Sequence, residues 1–305
     1  MNAAELEEGA NEDYLLVGEN TAFKRVKLNT KNIVNALSFF FNVLITYGVG
    51  VIGLLGNGTN TELSEKYQTI ITPNGAAFSI WAVIFTFQGI FAFLQLFPRI
   101  RGNKMVQDGV GYWYFFVCLA QVAWTLAFAY EKILFSAFCM FKIWGSLVAL
   151  LYSQYYAESD QTLFEFWFLR FPFAIHAGWV TAASALNFNV VIVNSGASAG
   201  AQLGAGIVCL AVLHAVSVWV LFFVDRPNYT LACVLAWANC FIYVELQNPK
   251  DLILSTFSQD SISGVALAAR AVAYIISIQI IVRVAILGLQ IYRGRNRRYE
   301  SESRA

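Results

Sequence analysis

Residues 171–193 read FPFAIHAGWVTAASALNFNVVIV, 23 residues without a charged side chain. A helix needs about 20 predominantly apolar residues to cross a hydrocarbon core of roughly 30 Å. Working outward, the same property recurs. Residues 33–55, 76–97, 112–130 and 203–224 are also uncharged, and 133–157 carries only Lys142. Residues 229–246 hold Glu245 near their end, and 262–291 contain Arg270 and Arg283. Between these stretches stand polar or Gly/Pro-rich breaks such as GNGTN (56–60), PRIRGNK (98–104), DRPN (225–228) and QNPKD (247–251). Helices 3 and 4 are separated only by Glu131 and Lys132, which predicts a tight antiparallel hairpin. The fold class expected is all-α, a polytopic transmembrane bundle of about eight helices.

Composition agrees. The chain is 58% hydrophobic and only 13% charged, where a soluble domain would be nearer a quarter charged. A net charge of +1 excludes a nucleic-acid binder working by bulk charge, and the apolar content excludes a disordered chain. The five cysteines all lie inside apolar stretches with no CxxC, so they read as buried small hydrophobes rather than a disulfide or zinc framework. The polar, acid-rich first thirty residues are not a signal peptide, so helix 1 is expected to act as its own insertion signal. Tyr14-Leu15-Leu16-Val17 has the shape of a tyrosine sorting signal.

Basic residues set orientation. Fourteen of the twenty Lys and Arg fall on the side of the two termini, among them Lys24, Arg25, Arg99, Arg101, Arg170, Arg226 and Arg293. Lys66, Lys132 and Lys250 fall on the opposite side. Both termini are therefore expected in the cytosol of a multi-pass protein whose partner is the lipid bilayer.

Three stretches depart from generic membrane sequence. In ITPNGAAFSIWAVIFTFQG (71–89), Phe78, Trp81, Phe85 and Gln88 recur at three and four residues and share one helix face. In CLAQVAWTLAFAY (118–130), Gln121 and Trp124 lie one turn apart. In LRFPFAIHAGWVTAASALNFNVVIVN (169–194), His176, Trp179, Ala183 and Asn187 share a face. Tryptophan usually gathers at the membrane boundary, yet these indoles lie turns inside, each beside an amide or imidazole. Packing between helices is one reading. A small-molecule pocket with flat aromatic walls and a few amides is the other. Helix 1 adds a polar stripe of Asn35, Ser38, Asn42 and Thr46, read as an inward face.

These motifs resemble the TspO/MBR family, the tryptophan-rich sensory proteins and the translocator protein, and most closely a longer branch with eight helices. That branch reads TPAG-x-x-FSIWG in helix 2, N-x-x-W in helix 3 and P-F-x-x-x-x-GW-x-x-x-A-x-x-x-N in helix 5. Here these stand as TPNGAAFSIWA, QVAW and PFAIHAGWVTAASALN, and VLAWANCFIY (234–243) is similar to the branch's helix 7. The resemblance implies a polar tail (1–32), a five-helix core (33–193), three appended helices (194–291) and a basic cytosolic tail (292–305). It also implies an intramembrane cavity for a flat hydrophobic ligand, porphyrin- or sterol-like, with porphyrin or haem as bound ligand rather than required cofactor. Trp81, Trp124, Trp179 and Asn187 match the motif directly, whereas Gln121 replaces the usual Asn. His176 stands where the branch tends to have an aromatic. Where the five-helix members have a Trp-Pro-Pro capping loop before helix 2, this chain departs from the pattern with Thr72-Pro73-Asn74-Gly75.

The ligand-binding candidates are thus Phe78, Trp81, Phe85, Gln88, Gln121, Trp124, His176, Trp179 and Asn187. Ionisable groups within a membrane need partners. Glu245 and Arg270 fall within about one turn of each other in depth, which predicts an ion pair latching helices 7 and 8. Arg283 is expected to snorkel to the surface. Lys142 has no carboxylate at its depth. His176 and His214 read as core histidines, offset too far in depth to clamp a haem. No catalytic or metal motif is present, so the reading is a non-enzymatic binder or carrier, with homodimerisation a further expectation. The alternatives are a secondary transporter of a small solute and a membrane enzyme acting on porphyrin or lipid.

Overall fold

The computed structural model describes residues 14–16, 22–24 and 27–302. Residues 1–13, and Val17 of the sorting-signal-like stretch, lie outside it. A short antiparallel pairing of β1 (Tyr14–Leu16) with β2 (Ala22–Lys24) precedes the helices.

Eight long helices follow. The first is α1 (Thr30–Ile45), which Asn29 starts by accepting a hydrogen bond from the Asn32 N–H. Its last turn widens into a π-helix, Thr46–Val51. A 3₁₀ turn, Gly75–Ser79, capped by Asn74, leads into α2 (Ile80–Leu94). Next come α3 (Trp113–Ala129), α4 (Ile133–Tyr156) and α5 (Phe171–Asn194). The chain ends with α6 (Ala199–Phe222), α7 (Tyr229–Glu245) and α8 (Gln259–Glu302). Among the described residues, six helical stretches are long and apolar enough to cross a membrane. Helices α3 and α7, at 17 residues each, are shorter, about 25 Å at ~1.5 Å per residue.

The hairpin between α3 and α4 is as tight as expected. Glu131 takes a positive φ of 54°, and the Lys132 N–H closes the turn onto the Ala127 carbonyl at 2.8 Å. One boundary differs. The basic segment after residue 291 continues α8 to Glu302. No proline follows Pro249, and Arg is a good helix former, so the helix runs on through Gly294 and Asn296.

Contacts between loops define two ends. At one, Asn29 donates to Gln107 (2.8 Å) and Tyr155 to Asp225 (2.9 Å). At the other, Lys66 pairs with Glu131, and Lys250 with Glu65 (2.7 Å). An even number of crossings thus returns the chain to the end where α1 begins.

Helix α5 is the hub, packing on α2, α4, α6 and α7. The appended helices join the core through it, and Gly178 makes this possible. A β-carbon there would sit 2.8 Å from Val234 Cβ and 3.2 Å from the Leu231 backbone. The outer surface carries large apolar side chains such as Leu37, Phe40, Phe138, Val212 and Ile281, as lipid contact requires. Inside, hydrocarbon offers no water to amides, so they must find protein partners. Asn35 donates to the Gly111 carbonyl (2.8 Å) and Gln154 to that of Leu169 (2.6 Å). Asn35, Asn42 and Thr46 of the helix 1 stripe are buried, as the sequence suggested.

Overpacking a tight contact costs about 1–3 kcal/mol. Gly178→Val is expected to lower stability by at least that much, read as a clear drop in thermal unfolding midpoint in detergent. An unchanged midpoint would refute the close α5–α7 approach.

Candidate ligand pocket

A cavity of about 360 Å³ lies among α1, α2, α3, α4 and α5, beneath the loops at the Lys66–Glu131 end. Its walls are aromatic. Trp81 and Phe85, one turn apart on α2, stack at 5.3 Å with 21° between their planes. Trp124 and Phe128 on α3 stack at 5.3 Å and 11°. Phe78 meets Trp179 of α5 edge to face at 5.4 Å. Each pair follows from helical spacing or from helices packed side by side. Trp124 Nε1 donates to Asn187 Oδ1 at 3.1 Å, and Asn187 Nδ2 donates to the Ala183 carbonyl at 3.2 Å. The indole and amide that the sequence placed on different helices are thus joined directly.

Seven of the nine expected residues line this space: Phe78, Trp81, Phe85, Gln121, Trp124, Trp179 and Asn187. Gln121 is the most telling. It is 1% exposed, and neither its Nε2 nor its Oε1 has a partner among the described residues. Gln88 and His176 are a correction. Gln88 Nε2 donates to His176 Nδ1 at 2.8 Å, and Tyr114 OH donates to Gln88 Oε1 at 3.2 Å. Both are fully buried, and neither lines the cavity. The His176 ring packs against Trp81 at 5.5 Å. Their shared helix face with the tryptophans carries past the cavity into the solid core beside Pro172. His214 does not line the cavity either. Among the described residues no cluster of three or more His, Cys, Asp or Glu could hold a metal.

The expected Glu245–Arg270 ion pair does not form. The Glu245 carboxylate instead accepts from Gln68 Nε2 (2.8 Å) and Asn74 Nδ2 (2.9 Å), both in the α1–α2 connection. Arg270 sits over the Tyr243 ring, 5.3 Å from its centroid, on an exposed face. Depth along the helix was matched, but the two side chains leave their helices in different directions. Arg283 is also more specific than simple snorkelling. Its Nε donates to the Leu221 carbonyl at 2.9 Å, capping an otherwise orphaned acceptor in the last turn of α6. Lys142 lies over the Phe138 ring at 5.1 Å on the outer face.

The mouth of the cavity combines the ends of helices 1 and 7 with segments the sequence reading left between helices. The π turn of α1 contributes Thr46, Gly50 and Val51. A β-carbon on Gly50 would fall 2.5 Å from Asn60 Nδ2, so glycine lets the Asn60 side chain lie against this turn. Asn60 opens a short helix, Asn60–Lys66, started by a capping box. The Glu62 N–H donates to Thr59 Oγ1 (3.2 Å), and the Thr59 N–H donates to Glu62 Oε2 (2.7 Å). The Thr-x-x-Glu signature was readable in the sequence. Glu65, Gln68, Glu245 and Lys250 complete the rim.

With this geometry in view, the comparison with known proteins is direct. The chain matches the TSPO-like protein family over residues 32–286. It belongs to that family. No curated protein and no solved structure matches it significantly. TSPO-like membership makes it a multi-pass membrane protein, and the match runs from the start of α1 into α8.

The rim is clamped to the α3–α4 hairpin through Glu131. Its carboxylate accepts from Lys66, from Tyr67 OH (2.5 Å) and from Asn57 Nδ2 (2.9 Å). The Lys66 bond first, then those from Tyr67 and Asn57, hold the Glu131 carboxyl at about 2, down from 4.5. A depressed carboxyl stabilises the fold above its unfolded value and loses that contribution as pH falls toward the folded one. The difference in unfolding midpoint between the native chain and Glu131→Gln is therefore expected to be full at neutral pH. It shrinks as pH drops from 4.5 toward about 2. A difference independent of pH over that range would contradict the clamp.

Proposed function

We propose that this TSPO-like protein binds a flat hydrophobic molecule, porphyrin- or sterol-like in shape, in the aromatic cavity, and carries or senses it within the membrane. The observation that carries this reading is Gln121: a fully buried carboxamide with neither atom paired among the described residues, facing a space walled by Trp81, Trp124 and Trp179. Leaving a buried polar group unmatched costs about 1–3 kcal/mol. A ligand with its own polar edge recovers that cost when it enters. Parallel indole and phenyl planes complement a flat ring system, and the Trp124–Asn187 bond fixes the wall before binding, which lowers the ordering cost of association.

The fourteen-to-three distribution of basic residues supports cytosolic termini. The rim with Glu65 and Lys250 then opens on the opposite face.

Purified protein in detergent should show saturable tryptophan quenching with at least one of protoporphyrin, haem and a sterol. Trp124→Phe removes the N–H that orders Asn187, and Asn187→Ala removes its acceptor. Each is expected to weaken binding about tenfold, roughly 1.4 kcal/mol. Quenching that neither substitution alters would refute the assignment.

A further inference from the structure

We infer that the cavity selects a planar aromatic cation, a fused ring system carrying a protonated amine at the mouth end, over an anion of the same shape. The inference rests on the pocket reading above and narrows it to one charge class.

Three charged side chains line the cavity: Glu65, Lys250 and Glu245. Two cancel, since Lys250 Nζ lies 2.7 Å from Glu65 Oε1. Glu245 is left. It is 6% exposed, and among the described residues no Lys, Arg or His lies within salt-bridge distance of it. Each of its oxygens takes one amide N–H, from Gln68 and from Asn74. A carboxylate can accept about four hydrogen bonds, so two amides leave acceptor capacity unused.

Gln68 sharpens the polarity. Its amide turns NH₂ toward the Glu245 carboxylate, the orientation that avoids setting oxygen against oxygen. By giving its NH₂ to Glu245 it leaves Oε1 buried without a partner among the described residues. Gln68 lines the cavity and is only 3% exposed. The mouth end therefore offers acceptors in excess: an uncompensated carboxylate and an unpaired amide oxygen. An ammonium group supplies up to three donors and the missing charge. The walls agree, since indole faces carry negative quadrupole density that attracts cations. An anion would meet a like charge and unmatched acceptors. Between flat ligands of the same ring size, a cationic substituent is expected to bind more tightly than a carboxylate.

The test uses three probes on similar tricyclic rings: aminoacridine as cation, anthracene methanol as neutral form and anthracene carboxylate as anion. Binding is read by fluorescence in phosphatidylcholine nanodiscs at neutral pH. The native protein should bind the cation at least about tenfold tighter than the anion, with the neutral probe between. Glu245→Gln should collapse this spread. Lys250→Gln, on the exposed rim, frees Glu65 and should widen it. Equal binding of all three probes overturns the charge inference and leaves the pocket standing. A spread that survives Glu245→Gln also overturns it. Should Glu245→Gln fail to fold, Lys250→Gln decides, and an unchanged or narrower spread refutes the inference. If no probe binds, the pocket reading itself fails and this inference falls with it.

Discussion

One indole N–H and one carboxamide oxygen, 3.1 Å apart between α3 and α5, hold the wall on which the candidate site depends. In a hydrocarbon environment neither group can turn to water, so the pair is favoured over either group alone. Fixing Trp124 this way also fixes Phe128, stacked a turn further along, and sets the depth of Asn187 opposite. The same constraint bears on the rest of the interior. Away from the cavity, Gln88 is matched by His176 and Tyr114, whereas Gln95 is buried with both amide atoms unpaired among the described residues. The amide that faces the cavity, Gln121, is unmatched as well.

The three appended helices do more than enlarge the bundle. Gly178 lets α7 lie close against the hub helix, which brings Glu245 at the end of α7 under the α1–α2 connection. There Gln68 and Asn74 reach it across more than 170 residues of sequence. Lys250, just beyond, ties the same rim to Glu65. The charge at the cavity mouth therefore comes largely from the end of α7 and the segment after it. A shorter bundle with the same aromatic walls would lack both Glu245 and its contacts.

Much of this was legible in the sequence because it depends on local periodicity. Uncharged stretches of about twenty residues give the helices, and three- and four-residue spacing groups Phe78, Trp81 and Phe85 on a single face. The motifs also indicated the TSPO-like family, which the match over residues 32–286 establishes. What failed depends on direction around a helix or on long-range approach. Depth alone paired Glu245 with Arg270, but depth does not fix azimuth, and Arg270 turned to Tyr243 instead. The face shared by Gln88 and the tryptophans runs out of the cavity because the space is shorter than the helix. The rim helix Asn60–Lys66 was signalled by its capping box, yet nothing local said that it would close over the pocket.

The central claim is that space exists beside the Trp124–Asn187 bond, and enlarging a residue that faces it tests this most directly. Ala183 lines the cavity, and its carbonyl already holds Asn187. In a packed core Ala183→Leu would cost about 1–3 kcal/mol. The account predicts instead an unchanged or raised unfolding midpoint together with loss of ligand-dependent tryptophan quenching. A large drop in midpoint would show that the indoles are packed solid, with no room for a ligand.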